Sequence, residues 1–553
     1  MLSPSYIRRS HLNRSSRRRS SWSKFWAVCC FGFLGFWAEK AVGAEEIILS
    51  YGAFEFPVSV ESLETYAETG NLDRQLKNYA DFFTSEQLQQ FRTGLTTSAD
   101  FDHLAIAQFL YSFQGEKLLE RVSRVIRTKA RQPGFYAIRS ALILAAADKE
   151  SGGLTPLNVL KKFPTAALRI DSRRGFKIVR DLSQVVQKNN QAIAAVEQQA
   201  NLERQNIAAD VPKVRNLNLL TPGKYRYRQQ VLTMNDRSRG RTFPVELYLP
   251  QLKDERTLPL IVISHGLGSD LNTFAYLARH LASHGFAVAV PEHPGSSAKQ
   301  IDALLSGLAS DVTPPEELID RPLDIKFLLD RLAARYGNQI DTDNVGAIGQ
   351  SFGAYTTLAL AGAELNWDSL ERDCPDINDS WNLSLLIQCL ALQIPPTATD
   401  IELKDERITA AIAINPLAST VFAKESLSQI DIPIMLVSGS ADPVTPALPE
   451  QIVPFTWLTA AEKYLVLLEG GTHFSVLNES AGSVPIPEQA IGPDPKLAQD
   501  YIKQLGLAFF GLYVTQQPIY ADYLNAEYGA VISKREIPLD LIEALSPESL
   551  RLF

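Results

Sequence analysis

The sequence is poor in cysteine and contains no long apolar run. Its 553 residues include four cysteines, too few for a small fold held together by disulfides. No stretch of about 18 uncharged apolar residues occurs, which excludes a protein with several membrane spans. Because 45% of the residues are apolar and 21% are charged, a largely disordered chain and a fibrous rod are also excluded. The composition therefore indicates one or two folded domains, and we expect an enzyme.

Basic residues are concentrated at the start of the chain. Residues 1–44 carry eight arginines and lysines against one glutamate, although the whole chain has a net charge of −8. The rest of the chain therefore stands at −15 and lacks the basic face that nucleic acid or anionic lipid requires, so neither is expected as the main partner. Residues 25–38 form an apolar run that is followed by Val42-Gly43-Ala44. This layout predicts a signal peptide at 1–44, cleaved after Ala44, and an exported protein in the periplasm or medium.

An uncleaved membrane anchor is the alternative for this run. Its 14 residues rise only about 21 Å as a helix, however, against a hydrocarbon core of about 30 Å, so no membrane span is expected in the mature chain. Cys29 and Cys30 leave with the signal, and Cys374 and Cys389 remain as an even pair in an oxidising compartment. We therefore expect a disulfide between them; the alternative is two unrelated buried thiols.

Residues 45–207 carry apolar side chains at helical spacing, which predicts an N-terminal all-α domain. Its last part, 184–206, is rich in glutamine, asparagine and alanine and predicts a polar connector helix between domains. The one histidine of this half, His103, is assigned no catalytic role. Nothing in the half shows the clustering of side chains that catalysis or metal binding demands.

The pattern changes after residue 220. Residues 225–232 and 243–249 alternate in strand fashion and predict an antiparallel pair. Six short runs that are apolar on both faces follow, separated by helical stretches, at 260–263, 286–290, 345–348, 410–414, 434–437 and 464–468. Such runs are typical of a parallel sheet covered by helices. We predict an α/β fold with a doubly wound, mostly parallel sheet of about eight strands, whose ligand lies beyond the carboxyl ends of the strands.

The strand predicted at 345–348 is followed by a Gly-x-Ser-x-Gly pentapeptide and then by a helical stretch. The pentapeptide alone is a weak signal, but its position between strand and helix is a strong one. A nucleophile at a sharp strand-to-helix turn needs glycine on either side, and Gly349 and Gly353 meet that need. The turn predicts Ser351 as the nucleophile.

A serine hydroxyl needs a base, and the base needs an acid that holds its ring. Of the histidines beyond residue 44, only His473 follows the nucleophile, in a glycine-containing loop after the last apolar run. Asp442 follows the run at 434–437 and is predicted as the acid. Glu469 is the rival, but it precedes His473 by four residues at the same strand end, a poor position for gripping the ring.

An oxyanion hole is the remaining requirement of this chemistry. The residue after the nucleophile, Phe352, is predicted to supply one N–H. The stretch Ser264-His265-Gly266-Leu267-Gly268 follows the run at 260–263, and the Leu267 N–H is predicted as the second donor. His265 is interpreted as a structural residue rather than a base. The sequence contains no His-Glu-x-x-His, paired Cys-x-x-Cys or glycine-rich phosphate loop, so neither a metal nor a cofactor is expected.

The stretch at 264–268 and the elbow Gly-Gln-Ser-Phe-Gly resemble the α/β-hydrolase superfamily, and within it the branch of the platelet-activating-factor acetylhydrolases. In that family a leucine after His-Gly and a phenylalanine after the serine donate the oxyanion N–H groups, which matches Leu267 and Phe352. The resemblance covers about residues 220–515 and leaves 516–553 as a C-terminal extension. It implies a serine esterase that acts on lipid-like or short acyl esters. The helical first half resembles an uncharacterised domain that precedes such hydrolases in photosynthetic bacteria.

An insertion at 364–407 separates the nucleophile helix from the next strand and contains the predicted disulfide. Its tryptophans and leucines predict a cap over the site that favours acyl or other apolar esters; a plain surface excursion is the alternative. Gln350 stands where many relatives have histidine, and we expect it to alter the polarity near the elbow.

The sequence therefore predicts an exported serine carboxylester hydrolase with Ser351, His473 and Asp442 as its triad. Two alternatives stay open. One is a non-catalytic binding protein that retains the fold, and the other is a peptidase or thioesterase on the same scaffold.

Overall fold

The computed structural model describes residues 43–51, 54–207, 217–251, 256–395, 401–478 and 488–550. Residues 1–42 lie outside the described residues, and with them Cys29, Cys30 and all but the last two residues of the predicted signal peptide. The stretch Gly43–Phe553 forms one compact unit. Among the helices of the described ranges, none has the length and apolar character needed to cross a membrane.

The described strands form two sheets. They are β1 (Glu46–Tyr51), β2 (Phe54–Ser59), β3 (Ile126–Thr128), β4 (Ala167–Asp171), β5 (Tyr227–Asp236), β6 (Arg241–Pro250), β7 (Leu258–Ser264), β8 (Ala287–Pro291), β9 (Ile340–Gln350), β10 (Ile408–Ile414), β11 (Ile434–Gly439), β12 (Lys463–Leu468) and β13 (Leu539–Ile542). The larger sheet has nine strands in the order β13-β12-β11-β10-β9-β7-β8-β6-β5, and the smaller has the order β2-β1-β4-β3.

Helices cover both faces of the larger sheet. The described helices are α1 (Val60–Thr69), α2 (Arg74–Ala80), α3 (Ser85–Thr96), α4 (His103–Tyr111), α5 (Phe113–Ser123), α6 (Phe135–Ala147), α7 (Pro156–Lys161), α8 (Ser172–Asn206), α9 (Ala275–Ser283), α10 (Ala298–Leu305), α11 (Glu317–Tyr336), α12 (Phe352–Leu360), α13 (Trp367–Asp373), α14 (Leu385–Gln388), α15 (Ala423–Leu427), α16 (Val453–Trp457), α17 (Glu488–Ile491), α18 (Pro495–Tyr513), α19 (Ala526–Ile532) and α20 (Pro547–Leu550). Helices α9 and α18 pack on one face, and α11 and α12 pack on the other. The predicted α/β architecture with a mostly parallel sheet is confirmed.

The larger sheet has nine strands rather than about eight. The additional strand, β13, comes from the stretch predicted as a C-terminal extension and pairs antiparallel with β12. Its four residues are too few to show a periodicity in the sequence. The strand exists because its backbone pairs with a buried neighbour, and this long-range pairing leaves no local signal.

The N-terminal segment was predicted to be all helical. It contains the four-stranded sheet instead. The strand β1 pairs antiparallel with β2 and parallel with β4, which lies more than 100 residues further along the chain. These strands have three to six residues each and lie between longer helices. Apolar residues at helical spacing in the longer segments around these strands hid their short patterns. The prediction of an all-α domain was therefore wrong.

The polar helix predicted at 184–206 begins earlier and packs more tightly than expected. Helix α8 has 35 residues, and its second half is part of the core that covers the larger sheet. Three small residues on one face are fully buried there: Ala192, Val196 and Ala200. Small side chains let a helix approach closely without large apolar residues. For that reason the sequence pattern predicted a connector, whereas the structure has a core helix.

The insertion at 364–407 is held from two sides. On one side, Arg121 of α5 donates to the carbonyl oxygen of Ile377 at 2.8 Å, and Asn378 donates to the Glu120 carboxylate at 2.8 Å. On the other side, the buried Glu450 carboxylate accepts hydrogen bonds from the insertion residues Asn382, Ser384 and Gln388. The described part of the insertion is thus packed between the N-terminal segment and the larger sheet.

The predicted disulfide between Cys374 and Cys389 is confirmed. It closes a loop of 15 residues within the insertion, next to the contacts with α5 and Glu450. In the chain-entropy description, a loop of this length restricts the unfolded state by about 3 kcal/mol.

We predict that Cys374→Ser combined with Cys389→Ser lowers the free energy of unfolding by about 3 kcal/mol. Urea denaturation of the two proteins without reductant measures the difference. Reduction of the wild type should produce the same shift, and reductant should leave the double variant unchanged. Equal unfolding midpoints without reductant would contradict the prediction.

Candidate active site

The predicted nucleophile lies at the sharp turn between β9 and α12. Ser351 has φ 56° and ψ −119°. Residues other than glycine rarely adopt this backbone conformation, which costs about 1–3 kcal/mol. The Ser351 N–H donates to the carbonyl oxygen of Ile414 at 2.8 Å, which ties the turn to the end of β10. The turn lifts Ser351 above the carboxyl edge of the sheet, as a nucleophile elbow does.

Close approach of the backbone explains both elbow glycines. A Cβ atom on Gly349 would lie closer than 3.0 Å to the carbonyl group of Gly353. A Cβ atom on Gly353 would lie equally close to the carbonyl groups of Ser264 and His265, at the end of β7. The helix α12 can therefore pack against the loop after β7 only because position 353 is glycine.

The predicted base and acid are in direct contact. His473 Nδ1 lies 2.6 Å from Asp442 Oδ2, and both side chains are buried. The Asp442 carboxylate also accepts from the N–H groups of Val444 and Thr445, at 2.7 and 2.9 Å, and from Asn415 Nδ2 at 2.7 Å. These donors fix the carboxylate toward the imidazole ring, and the rival acid Glu469 is exposed.

The nucleophile is joined to the histidine loop through its neighbour. Gln350 Nε2 donates to the carbonyl oxygen of His473 at 3.0 Å. No other described residue forms a hydrogen bond with Ser351 Oγ, so the Ser351–His473 bond that general-base catalysis requires is not in place. Such bonds are often long in enzymes without substrate and tighten when substrate binds.

The two predicted oxyanion donors lie on either side of the elbow. Leu267 is in the loop after β7, and Phe352 begins α12. Among the described residues, neither backbone N–H has an acceptor. Gly266 packs directly against the Gln350 side chain, and a Cβ atom there would displace the side-chain oxygen of Gln350. The side chain of Gln350 therefore touches both the loop after β7, which we call the predicted oxyanion loop, and the loop that carries His473.

A buried arginine contacts the predicted oxyanion loop. Arg321, on α11, donates to the carbonyl oxygen of His265, and to the hydroxyl oxygens of Ser264 at 3.1 Å and Ser296 at 2.6 Å. Its guanidinium lies 4.6 Å from the centre of the Phe352 ring. Burial lowers the pKa of Arg321 to about 10, against the opposing effect of nearby carboxylates. The side chain joins the loop after β7 to the start of α12.

Two histidines beside this arginine are neutral. The His293 N–H donates to His265 Nε2 at 3.0 Å, so the proton of His265 is on Nδ1, which donates to the carbonyl oxygen of Gly266 at 2.7 Å. His293 Nδ1 lies 3.1 Å from the buried Asp324 carboxylate. Burial, followed by the charge of Arg321, holds the pKa of each histidine well below its usual value. Both rings act as fixed hydrogen-bonding groups.

Four side chains that support the site were not predicted in these roles: Gln350, Asn415, Thr445 and Arg321. Asn415 directly follows the buried strand β10, so its position at a strand end could have suggested it. Thr445 follows Asp442 by three residues, a spacing typical of a side-chain turn. Arg321 has no comparable signal, because nothing in the sequence of a helix shows that a charged residue is buried. The described residues include no cluster of His, Cys, Asp and Glu that could hold a metal ion.

Two family models match the chain. A family described as "Alpha/beta hydrolase of unknown function (DUF1400)" matches residues 43–171, in the N-terminal segment. A family described as "Platelet-activating factor acetylhydrolase, isoform II" matches residues 240–321, which include the predicted oxyanion loop and Arg321. No curated protein matches the chain. The matches show a resemblance to the α/β-hydrolase superfamily and indicate a hydrolase.

We predict that Gly353→Ala lowers the free energy of unfolding by about 1–3 kcal/mol, because its Cβ atom meets backbone that cannot move aside. Gly506→Ala is the matched control, since this buried helical glycine has its nearest neighbour at an ordinary 3.8 Å. Urea denaturation measures both variants. Equal effects of the two substitutions would show that the elbow is less tightly packed than described.

We predict that the protein loses stability as the pH falls from about 6.5 toward 5. Burial lowers the pKa of His280 to about 4, and it lowers those of His265 and His293 as well. In this range the unfolded histidines bind protons that the native ones exclude, so the free energy of unfolding falls by up to about 1.4 kcal/mol per pH unit for each. Above about pH 6.5 neither state binds these protons, and the effect vanishes.

Thermal unfolding at several pH values checks this expectation. His280→Asn should reduce the pH dependence of the melting temperature, whereas substitution of the exposed His103 to Asn should not. A melting temperature of the wild type that is constant between pH 7 and 5 would count against neutral buried histidines.

Proposed function

We propose that this chain is an exported serine hydrolase that cleaves carboxylic esters through Ser351, His473 and Asp442. The observation that carries the proposal is the 2.6 Å contact between His473 and a carboxylate held by several donors, beside a serine in a strained turn. The order of these residues along the chain is the one typical of α/β hydrolases. The hydrolase matches support the reaction class.

In the proposed mechanism, His473 takes the proton of the Ser351 hydroxyl as Oγ attacks the ester carbonyl carbon. The oxygen of the tetrahedral intermediate accepts from the N–H groups of Leu267 and Phe352, each worth about 2.7–4 kcal/mol in comparable sites. His473 then protonates the leaving alcohol. Water, deprotonated by the same histidine, releases the acid from the acyl-enzyme and restores Ser351.

Asp442 has a defined task in this mechanism. Its contact with Nδ1 keeps the proton of the neutral ring on that nitrogen and leaves Nε2 free to act as the base. It also stabilises the imidazolium that forms when Nε2 takes the serine proton. The donors from Val444, Thr445 and Asn415 hold the carboxylate in place.

Apolar, lipid-like esters are the proposed substrates. The insertion is packed against the loop after β10, where Gln388 accepts from the N–H groups of Thr420 and Val421. This contact lies at the carboxyl edge of the sheet, as expected of a cap. The acetylhydrolase match over 240–321 supports the same substrate class. Export is supported by the disulfide, since such bonds persist in oxidising compartments.

A non-catalytic binding protein is the second candidate. The observation that favours it is the missing hydrogen bond of Ser351 Oγ within the described residues. The two candidates differ in whether Ser351 reacts.

We predict that Ser351→Ala lowers the rate of hydrolysis of short p-nitrophenyl esters at least about a thousandfold and abolishes labelling by a fluorophosphonate. Ser428→Ala, a change of the same size away from the site, should leave both unaffected. Undiminished turnover by Ser351→Ala would refute the proposal. A folded wild type that neither turns over these esters nor reacts with the fluorophosphonate would support the binding protein.

A further inference from the structure

The first half of α8 carries an exposed apolar stripe. Phe176, Val179, Leu182 and Val186 are spaced three or four residues apart and are all exposed, Phe176 to 66% and Val179 to 61%. At about 100° per residue they fall within an arc of about 120° on one face of the helix. We call these four residues the α8 stripe. A contiguous exposed apolar surface of this kind marks a site of interaction.

Aromatic residues of the smaller sheet extend the α8 stripe. Tyr51, the last residue of β1, meets Phe176 edge-on, with ring centres 6.1 Å apart. Tyr51 also pairs with Phe54 across the β1–β2 hairpin, and both side chains are exposed. Residues directly opposite in an antiparallel pair project from the same face. The exposed surface therefore ends in an aromatic group.

The face of α8 next to the α8 stripe is strongly basic. Residues 173–188 contain one acidic residue, Asp181, and five exposed basic residues: Arg173, Arg174, Lys177, Arg180 and Lys188. Counted at about 100° per residue, the five cations occupy the arc that adjoins the α8 stripe. The local charge of +4 contrasts with −8 for the whole chain. The acidic net charge that argued against anionic lipid therefore does not describe this surface.

We propose that the α8 stripe and its basic flank dock the protein on the surface of an anionic lipid bilayer. An apolar face with phenylalanine and leucine beside arginines and lysines is the pattern of helices that lie in the membrane interface. The apolar side chains enter the boundary of the acyl region. Arg174 and Lys177 pair with Asp171 and Asp181, whereas Arg173, Arg180 and Lys188 have no acidic partner among the described residues and meet lipid phosphates. A second copy of the chain fits less well, because a symmetric contact would place the same five cations against one another.

Just beyond the α8 stripe, the same helix contacts the carboxyl edge of the sheet that carries the candidate active site. Asn189, one turn beyond Val186, donates to the carbonyl oxygen of Ser440 at 3.2 Å and accepts from the Leu448 N–H at 3.2 Å. Ser440 directly follows β11 and precedes Asp442 by two residues. Docking through α8 thus brings a lipid surface to the side of the molecule where the proposed ester hydrolysis takes place. The docking itself does not depend on that reaction.

Vesicle sedimentation tests the proposal. The compact unit Gly43–Phe553 is mixed with vesicles of phosphatidylcholine and phosphatidylglycerol, and with vesicles of phosphatidylcholine alone. We expect binding to the mixed vesicles that weakens with added salt, and much weaker binding to the neutral ones. Val179→Asp should reduce binding to the mixed vesicles about tenfold. Arg180→Gln combined with Lys188→Gln should reduce it as well, without removing an apolar group.

Val531→Asp is the matched control, because Val531 is exposed to 58% on another helix and the change in charge is the same. It should bind like the wild type, and thermal unfolding shows whether each variant is folded. Failure of the wild type to bind mixed vesicles, or undiminished binding by Val179→Asp, would overturn the proposal. A wild-type dimer that Val179→Asp dissociates, without vesicle binding, would also overturn it and assign the surface to a second copy.

Discussion

The buried guanidinium of Arg321 is the interaction on which the architecture of the site depends. It bonds to the carbonyl oxygen of His265, to two serine hydroxyls and to Thr356 on α12. Removing an isolated cation from water costs several kcal/mol, so nearby negative charges must compensate the buried guanidinium. Glu317 and Asp324 provide that compensation and in turn bind Arg241. One buried charge thus organises a network that links three separate segments behind the predicted oxyanion loop.

The contacts of that network could not be predicted from the sequence, although the strand ends around it could. The positions of Ser351, Asp442 and His473 after strands could be predicted because each follows a buried apolar run, and runs of this kind are visible in the sequence. The larger sheet could be predicted for the same reason. Arg321 and Gln350 could not, since their roles arise from contacts between segments that are far apart in the chain. The strands β1, β4 and β13 were missed because short strands exist only through their partners.

The N-terminal segment is more closely bound to the larger sheet and its insertion than its sequence indicates. Its helix α5 contacts the insertion, and the second half of α8 is buried against the larger sheet. The match to a family described as an α/β hydrolase covers 43–171, a stretch that contributes no strand to the larger sheet. The packing gives a physical reason for this association, because removing the segment would uncover apolar core.

Helix α8 also connects the two sheets. Its 35 residues extend about 52 Å as one continuous helix, which contacts β1 and β4 of the smaller sheet and the end strand β13 of the larger one. Near the midpoint of the helix, Asn189 forms hydrogen bonds with the backbone of Ser440 and of Leu448, on either side of the turn that carries Asp442. Because one unbroken helix contacts both sheets, the length of α8 sets the spacing between the smaller sheet and the turn that carries Asp442.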